Sequence, residues 1–477
     1  MADTTARKLH IVMFPWLAFG HMIPFLELAK LIAQKGHKIS FISTPKNIER
    51  LPKLPPDLVT PDLISFIKVP LPLVENLPEN AEATVDLPTD QGPYLKVAYD
   101  SLQETVARFL EESAPDWVFY DFAPYWLGPV AAKLNIPSVN YCVMAAYVLA
   151  FLGPMEDADR KGPEDWTVSP KWVPFPSPVA FRYYEFMKII GSFRENESGV
   201  SDVDRFKLSI QGCDVLAVKS CYEFEPEWLK LLEDLHRKPV IPVGHLPPTP
   251  YENGGKDEAW TEMKEWLDKR KKGSVLFVGF GSEAKLSQDE LTEIALGVEL
   301  SGLPFFWVLR KQRVFSHSEM IELPDGFEER TKGGGVVWTR WAPQVKILSH
   351  DAVGGYLMHS GLGSVVEAVQ FGKALILLTF YADQGLNARV LEEKKMGYAV
   401  PRNERDGRFT RDAVAESVRL VMVEEEGKVY RDKVKEMRGV FGDRDKQDRY
   451  VDNLLTRLQQ IQKERKAKAA LIENGDN

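Results

Sequence analysis

The sequence predicts an α/β protein of two doubly wound domains, each a parallel sheet with helices on both faces. Three observations lead there. Apolar runs of strand length alternate with helical patterns from the N-terminus onward. The alternation stops at a proline- and glycine-rich stretch, residues 242–260, and then restarts. The length of 477 residues exceeds what one ordinary core fills. A content of 44% hydrophobic and 27% charged residues is globular, and excludes disordered, collagen-like and coiled-coil chains.

The first series runs LHIVMFPW (9–16), a helix over 23–36, KISFIST (38–44), LISFIKV (63–69), a helix over 94–113, DWVFYD (116–121), a helix over 124–134 and IPSVNYC (136–142). Such continuous apolar strands are those of a sheet covered on both faces. From about 154 to 200 the pattern gives way to prolines, aromatics and charges, expected to form a loop-rich lid over a pocket. The expected division is an N-terminal domain over 1–245, a linker over 246–260 and a C-terminal domain over 261–477.

The second series runs SVLFVGF (274–280), a helix over 287–301, FFWVLR (305–310), GVVWTR (335–340), VGGYLM (353–358), a helix over 363–371 and ALILLTF (374–380). A charged helical tail follows from about 410, with its last fifteen residues expected to fray. A cleft at the carboxyl ends of such sheets is where open α/β folds bind ligands.

Charge and cysteine content narrow the partners. Sixty basic against 69 acidic residues give a net charge of −9, so no global field draws nucleic acid or an anionic membrane. Any phosphate must be bound locally. Three cysteines without metal-ligand spacing argue against a disulfide framework or a zinc site and point to a reducing compartment. MADTTARKLH lacks the pattern of a signal peptide, and no window reaches the length of a membrane span. A cytoplasmic monomer without membrane insertion is expected.

Two residues in the first half carry candidate chemistry. His21 follows the first strand at a helix N-terminus, where an imidazole is kept neutral, as a general base requires. Asp121 ends a later strand, and would hold the imidazole N–H and stabilise the imidazolium. The alternatives are a buried turn histidine and a helix-capping aspartate.

In the second half, the turn His359-Ser360-Gly361-Leu362-Gly363-Ser364 offers an imidazole, hydroxyls and backbone amides at a helix start, a local anion site suited to a pyrophosphate. Val366 stands where a dinucleotide fingerprint has its third glycine, which disfavours a nicotinamide oxidoreductase. Glu367, one turn on, suits ribose hydroxyls, and Trp341 suits a planar base. Asp383 and Gln384, at the next strand end, suit paired sugar hydroxyls. Taken singly, Trp341 also reads as core, Glu367 as a solvated helix residue and Asp383 as a cap.

Together, Trp341-Ala342-Pro343-Gln344, His359-x-Gly361-x-x-Ser364, Glu367 and Asp383-Gln384 resemble the signature box of plant family 1 UDP-dependent glycosyltransferases. PWLAFGHMIPFLELAKLI (15–32) resembles the family's catalytic-histidine segment, and the order of elements resembles its GT-B fold. The resemblance implies an inverting enzyme with His21 as base and Asp121 as its partner. It implies Trp341 on uracil, Gln344 and Glu367 on ribose, His359, Ser364 and Ser282 at the diphosphate, and Asp383 and Gln384 on the sugar. No cofactor and no metal are implied; the UDP-sugar is a co-substrate.

The box departs from the common His-Cys-Gly-Trp-Asn-Ser at Ser360, Leu362 and Gly363. Gly363 lacks the asparagine side chain that donates to phosphate but keeps its backbone N–H. This glycine and PRNERDG (401–407) resemble the clade that extends sugars on flavonoid or terpenoid glycosides. The expected acceptor is therefore a hydrophobic glycoside, with Tyr125, Tyr147, Phe181 and Tyr184 lining its pocket. Glucose is the expected sugar. The alternatives are UDP-rhamnose as donor, or a non-catalytic nucleotide-sugar-binding protein, which would need no dyad.

Overall fold

The structure is a computed structural model, described over residues 7–88, 91–154, 160–249, 258–281, 284–309 and 322–475. It contains two parallel sheets. The first has strands β1 (His10–Phe14), β2 (Lys38–Ser43), β3 (Ile64–Lys68), β4 (Trp117–Tyr120), β5 (Ser138–Cys142), β6 (Val215–Val218) and β7 (Val240–Pro242), in the order β3-β2-β1-β4-β5-β6-β7. The second has β8 (Val275–Gly279), β9 (Phe305–Val308), β10 (Gly335–Trp338), β11 (Val353–Met358), β12 (Ala374–Leu377) and β13 (Gly397–Ala399), in the order β10-β9-β8-β11-β12-β13. Every pairing is parallel.

In each sheet the strand order reverses once, between β1 and β4 and between β8 and β11. Loops leaving adjacent strands diverge at such a point and leave room for a ligand at the carboxyl ends. Alternation along β1 divides its side chains between two cores. Ile11 and Met13 pack with Phe41, Trp117 and Phe119 beneath the helix Phe19–Gln34. Val12 and Phe14 pack with Val118, Tyr120, Tyr99 and Leu127 on the opposite face. The second sheet is covered in the same way, for example by the helix Gln288–Ser301, which Ser287 and Glu290 cap reciprocally.

The chain divides into two compact units, residues 1–156 with 192–246 and 444–477, and residues 157–191 with 247–443. This differs from the sequence expectation in two places. The helix Arg444–Gly475 belongs to the first unit, because Val451, Leu454, Leu455 and Leu458 form one apolar stripe buried in the β1 core. Gln447 Oε1 fixes its start by accepting from the backbone N–H groups of His245 (2.6 Å) and Leu246 (3.2 Å). The tail expected to fray is helical through Gly475. Residues 160–191, expected to serve the first domain as a lid, pack within the second unit. Most of the expected linker, 250–257, lies outside the described residues.

Single elements also differ. The helix expected over 94–113 is two, Gly92–Asp100 and Gln103–Ser113, and the one expected to start at 23 begins at Phe19. Among the described residues no helix is long and apolar enough to cross a membrane, and Cys142, Cys213 and Cys221 are buried and form no disulfide.

If the last helix is part of the first core, Leu454→Ala should destabilise the first unit by about 2–5 kcal/mol. Denaturant unfolding followed by fluorescence and circular dichroism would read this; a loss below about 0.5 kcal/mol, as for a surface residue, would contradict it.

Candidate active site

In the first unit, β1 and β4 run side by side, with Phe14 paired to Tyr120, so the residues that follow them leave the sheet together. His21 is the third residue of the helix after β1; Asp121 directly follows β4. His21 Nδ1 lies 2.8 Å from Asp121 Oδ2. The aspartate is 2% exposed and the histidine side chain 20%.

Asp121 is not a helix cap, since the next helix starts at Leu127. Its carboxylate accepts from the Trp16 N–H at 2.8 Å and the Ala123 N–H at 3.2 Å, which fix both oxygens. An ionised carboxylate only accepts, so His21 Nδ1 carries the proton in this pair. The lone pair is then on Nε2, which has no hydrogen-bond partner among the described residues. This is the arrangement of a general base with its orienting acid.

Two features missed at the sequence level hold these loops. Tyr99 stacks on Phe14 at 4.6 Å and donates its hydroxyl to the Pro15 carbonyl at 2.9 Å, pinning the turn after β1. Arg205, fully buried, donates to the Ala123 carbonyl at 2.7 Å and to Asp100 Oδ1 at 3.0 Å, pinning the turn after β4. Its sequence signal is one arginine in an amphipathic helix, which reads equally as a solvated residue.

In the second unit, β11 ends at Met358 beside Gly279 of β8. The His359 ring packs against Gly281 and Gly361. A Cβ on Gly361 would stand 2.5 Å from Nε2, so this close approach requires glycine. Burial pushes the His359 pKa down to about 4, which makes the ring neutral at pH 7. Its Nδ1 and the Ser360 hydroxyl are sealed in, without hydrogen-bond partners among the described residues. Ser360 takes a left-handed φ of 69°, turning the chain into the helix Leu362–Val369. Gly361 offers that helix no side-chain cap, so its first amides are left for an anion. Gly363 is exposed, and a Cβ there would meet nothing within 4 Å.

Gln344, Ser364 and Glu367 come together: Gln344 Nε2 lies 2.6 Å from Glu367 Oε2 and 3.4 Å from Ser364 Oγ. Tyr356, a residue that sequence reasoning missed, donates to Gln344 Oε1 at 3.2 Å. Trp341 is 67% exposed, a large apolar surface that a planar ring would cover. Asn387 Nδ2 joins the two loops, donating to the Ser360 carbonyl at 2.9 Å and to Asp383 Oδ2 at 3.0 Å.

Other expected residues are placed differently. Gln384 Oε1 accepts from the N–H groups of Phe380 (2.8 Å) and Tyr381 (3.0 Å), so that half of its amide holds its own loop. Phe181 and Tyr184 are buried in the second unit rather than the first, because their segment folds there. In the first unit Tyr147 is buried edge-on to Trp228, while Tyr125 stays partly exposed with the Arg205 guanidinium 5.0 Å from its ring. Ser282 lies outside the described residues.

The family model for UDP-glucoronosyl and UDP-glucosyl transferase matches residues 252–449. A UDP-glycosyltransferase 91A1 of Arabidopsis thaliana is 55% identical over 96% of this chain and 98% of its own. The chain belongs to the plant family 1 UDP-dependent glycosyltransferases. This family member is also 43% identical to a soyasaponin III rhamnosyltransferase of Glycine max, over 95% of this chain and 96% of that one. Among solved structures, the Phytolacca americana UGT2 complex with UDP-2fluoro-glucose and pterostilbene matches with a TM-score of 0.73 and 27% identity, covering 94% of this chain and all of that one. The fold of the glycosyltransferase is GT-B.

The lowered pKa of His359 predicts a contribution to stability that weakens in acid. The unfolded chain takes up that proton near pH 6.5 and the folded chain only near pH 4, so stability contributed by the neutral ring is lost as pH falls from 6.5 to 4. His359→Asn should flatten the stability–pH curve over that window by about one proton, read by denaturant titrations. An unchanged slope would show that the ring protonates freely in the folded state.

Proposed function

We propose that this UDP-glycosyltransferase is an inverting enzyme that moves glucose from UDP-glucose to a sugar hydroxyl of a hydrophobic glycoside. The observation that carries the reading is the 2.8 Å contact of His21 Nδ1 with Asp121 Oδ2, which assigns the proton to Nδ1 and leaves the lone pair on Nε2. His21 Nε2 takes the acceptor's proton as its oxygen attacks the anomeric carbon, and the bond from that carbon to UDP breaks in the same displacement, inverting the configuration. Asp121 stabilises the imidazolium that forms.

The second unit binds the donor. Trp341 stacks on uracil, Gln344 and Glu367 take the ribose, and Asp383 takes the sugar, with Gln384 supporting its loop and contributing its free amide N–H. The uncapped amides from Gly361 to Ser364, with Ser364 and the neutral His359 ring, bind the diphosphate and stabilise the charge it gains on leaving. This mechanism uses no metal or other cofactor. Three cysteines that form no disulfide support a reducing, cytoplasmic setting.

Two observations support a glycoside acceptor: Gly363 and PRNERDG (401–407), which resemble the clade that extends sugars on glycosides, and the similarity to an enzyme that acts on soyasaponin III, by its name a saponin and hence a glycoside. That relative transfers rhamnose, so UDP-rhamnose is the alternative donor. Polar groups arranged for an attached sugar are left unpaired by a bare aglycone, each at about 1–3 kcal/mol. Matched pairs of triterpene or flavonoid aglycones and their monoglucosides, assayed for UDP release with both donors, should show kcat/KM higher for the glucoside by at least about tenfold. Equal rates on the aglycones would defeat the glycoside reading.

A further inference from the structure

We infer that Glu185, which lies far from the signature box in sequence, is a positioning residue for the sugar-binding loop Thr379–Asp383 of the donor site. The inference rests on the proposed contact of Asp383 with the donor sugar.

Glu185 lies on the helix Tyr183–Ile189, in the segment that folds with the second unit. Its carboxylate is 7% exposed. Oε1 accepts from Thr379 Oγ1 at 3.1 Å, from Arg389 Nη2 at 3.1 Å and from the Tyr184 hydroxyl at 3.3 Å. Oε2 accepts from the Arg182 N–H at 2.9 Å, capping its own helix. The charge is therefore buried, paired with a guanidinium and saturated with donors, the condition under which a buried carboxylate orders its surroundings.

Its surroundings are the sugar loop. Thr379 opens that loop after β12, and Arg389 lies on the helix Gln384–Glu393 that closes it. Gly385, in the first turn of this helix, lies directly beneath the carboxylate: a Cβ there would stand 2.3 Å from Glu185 Oε2. Arg402 also holds the loop. It donates to the Thr379 carbonyl and to the Gly407 carbonyl (2.6 Å), and its guanidinium lies 5.1 Å from the Tyr184 ring. Glu185 thus grips the start of the segment that presents Asp383 and the helix that follows it, whereas the nucleotide residues Gln344, Ser364 and Glu367 are hydrogen-bonded to one another.

A positioning role divides the two ligands. Removing the carboxylate's charge should misplace Asp383 and leave the nucleotide contacts intact. Glu185→Gln should raise the KM for the UDP-sugar by about tenfold, a modest share of what a 1 Å misplacement removes, while the Kd for UDP measured by calorimetry stays within about twofold. Thr379→Val, which removes one bond to the carboxylate with little change of shape, should shift the same ratio in the same direction, and serves if Glu185→Gln folds poorly. In an Asp383→Ala background Glu185→Gln should add nothing further, a coupling that general destabilisation would not produce.

Equal losses for UDP and UDP-sugar, or additive effects with Asp383→Ala, would overturn the inference. Unchanged KM in both Glu185→Gln and Thr379→Val would do so as well. Asp383→Ala alone separates this failure from that of the underlying reading: if it leaves the UDP-sugar to UDP affinity ratio unchanged, the sugar contact itself falls; if it shifts the ratio and the Glu185 and Thr379 variants do not, only the positioning role falls.

Discussion

Successive parallel strands need a crossover, and each crossover must return the chain to the same end of the sheet. In both units the series is laid down outward from its first strand on one side and then resumes on the other. That reversal puts the loops after β1 and β4 next to each other, and those after β8 and β11. The proposed chemistry depends on this constraint. His21 and Asp121 are one hundred positions apart in the chain, and it is the β1–β4 register that delivers them to within 2.8 Å. The same reversal sets Gly281 against the His359 ring.

The reversal places the loops, and buried polar groups fix them. The first unit uses Tyr99 and Arg205 on backbone carbonyls next to the His21–Asp121 pair; the second uses Asn387, Glu185 and Arg402 on the turn at Ser360 and the loop Thr379–Asp383, the proposed diphosphate and sugar sites. Each group sits where an unpaired polar atom would be expensive, so each admits only a narrow set of loop conformations. Catalytic pairs need that, since a proton transfer is sensitive to small displacements.

Much of this was legible in the sequence. Continuous apolar strands such as IVMF and VGGYLM, and the chemical residues at their carboxyl ends, sufficed to propose the two parallel sheets, the His21–Asp121 pair and the turn at His359. What escaped has physical reasons. The strands Val215–Val218 and Val240–Pro242 are too short to show a period. The break between Gly92–Asp100 and Gln103–Ser113 carries no glycine or proline. The stripe Val451, Leu454, Leu455 and Leu458 announces a buried helix face but not the sheet it covers. Phe181, Tyr184 and Glu185 could not be assigned to the second unit, because an aromatic, proline-rich segment has no periodicity from which to read its partner. Whether a glutamine such as Gln384 spends its amide on a ligand or on its own loop depends on backbone positions alone.

The central claim is that Asp121 makes His21 a base by holding the proton on Nδ1. The most direct test is the pair of variants His21→Ala and Asp121→Asn, measured for turnover at saturating acceptor and donor and for UDP affinity. Both should lose turnover by on the order of 10²–10⁴-fold while UDP binds as in the parent enzyme. Either variant retaining more than half of the parent turnover, with its fold intact, would contradict the account.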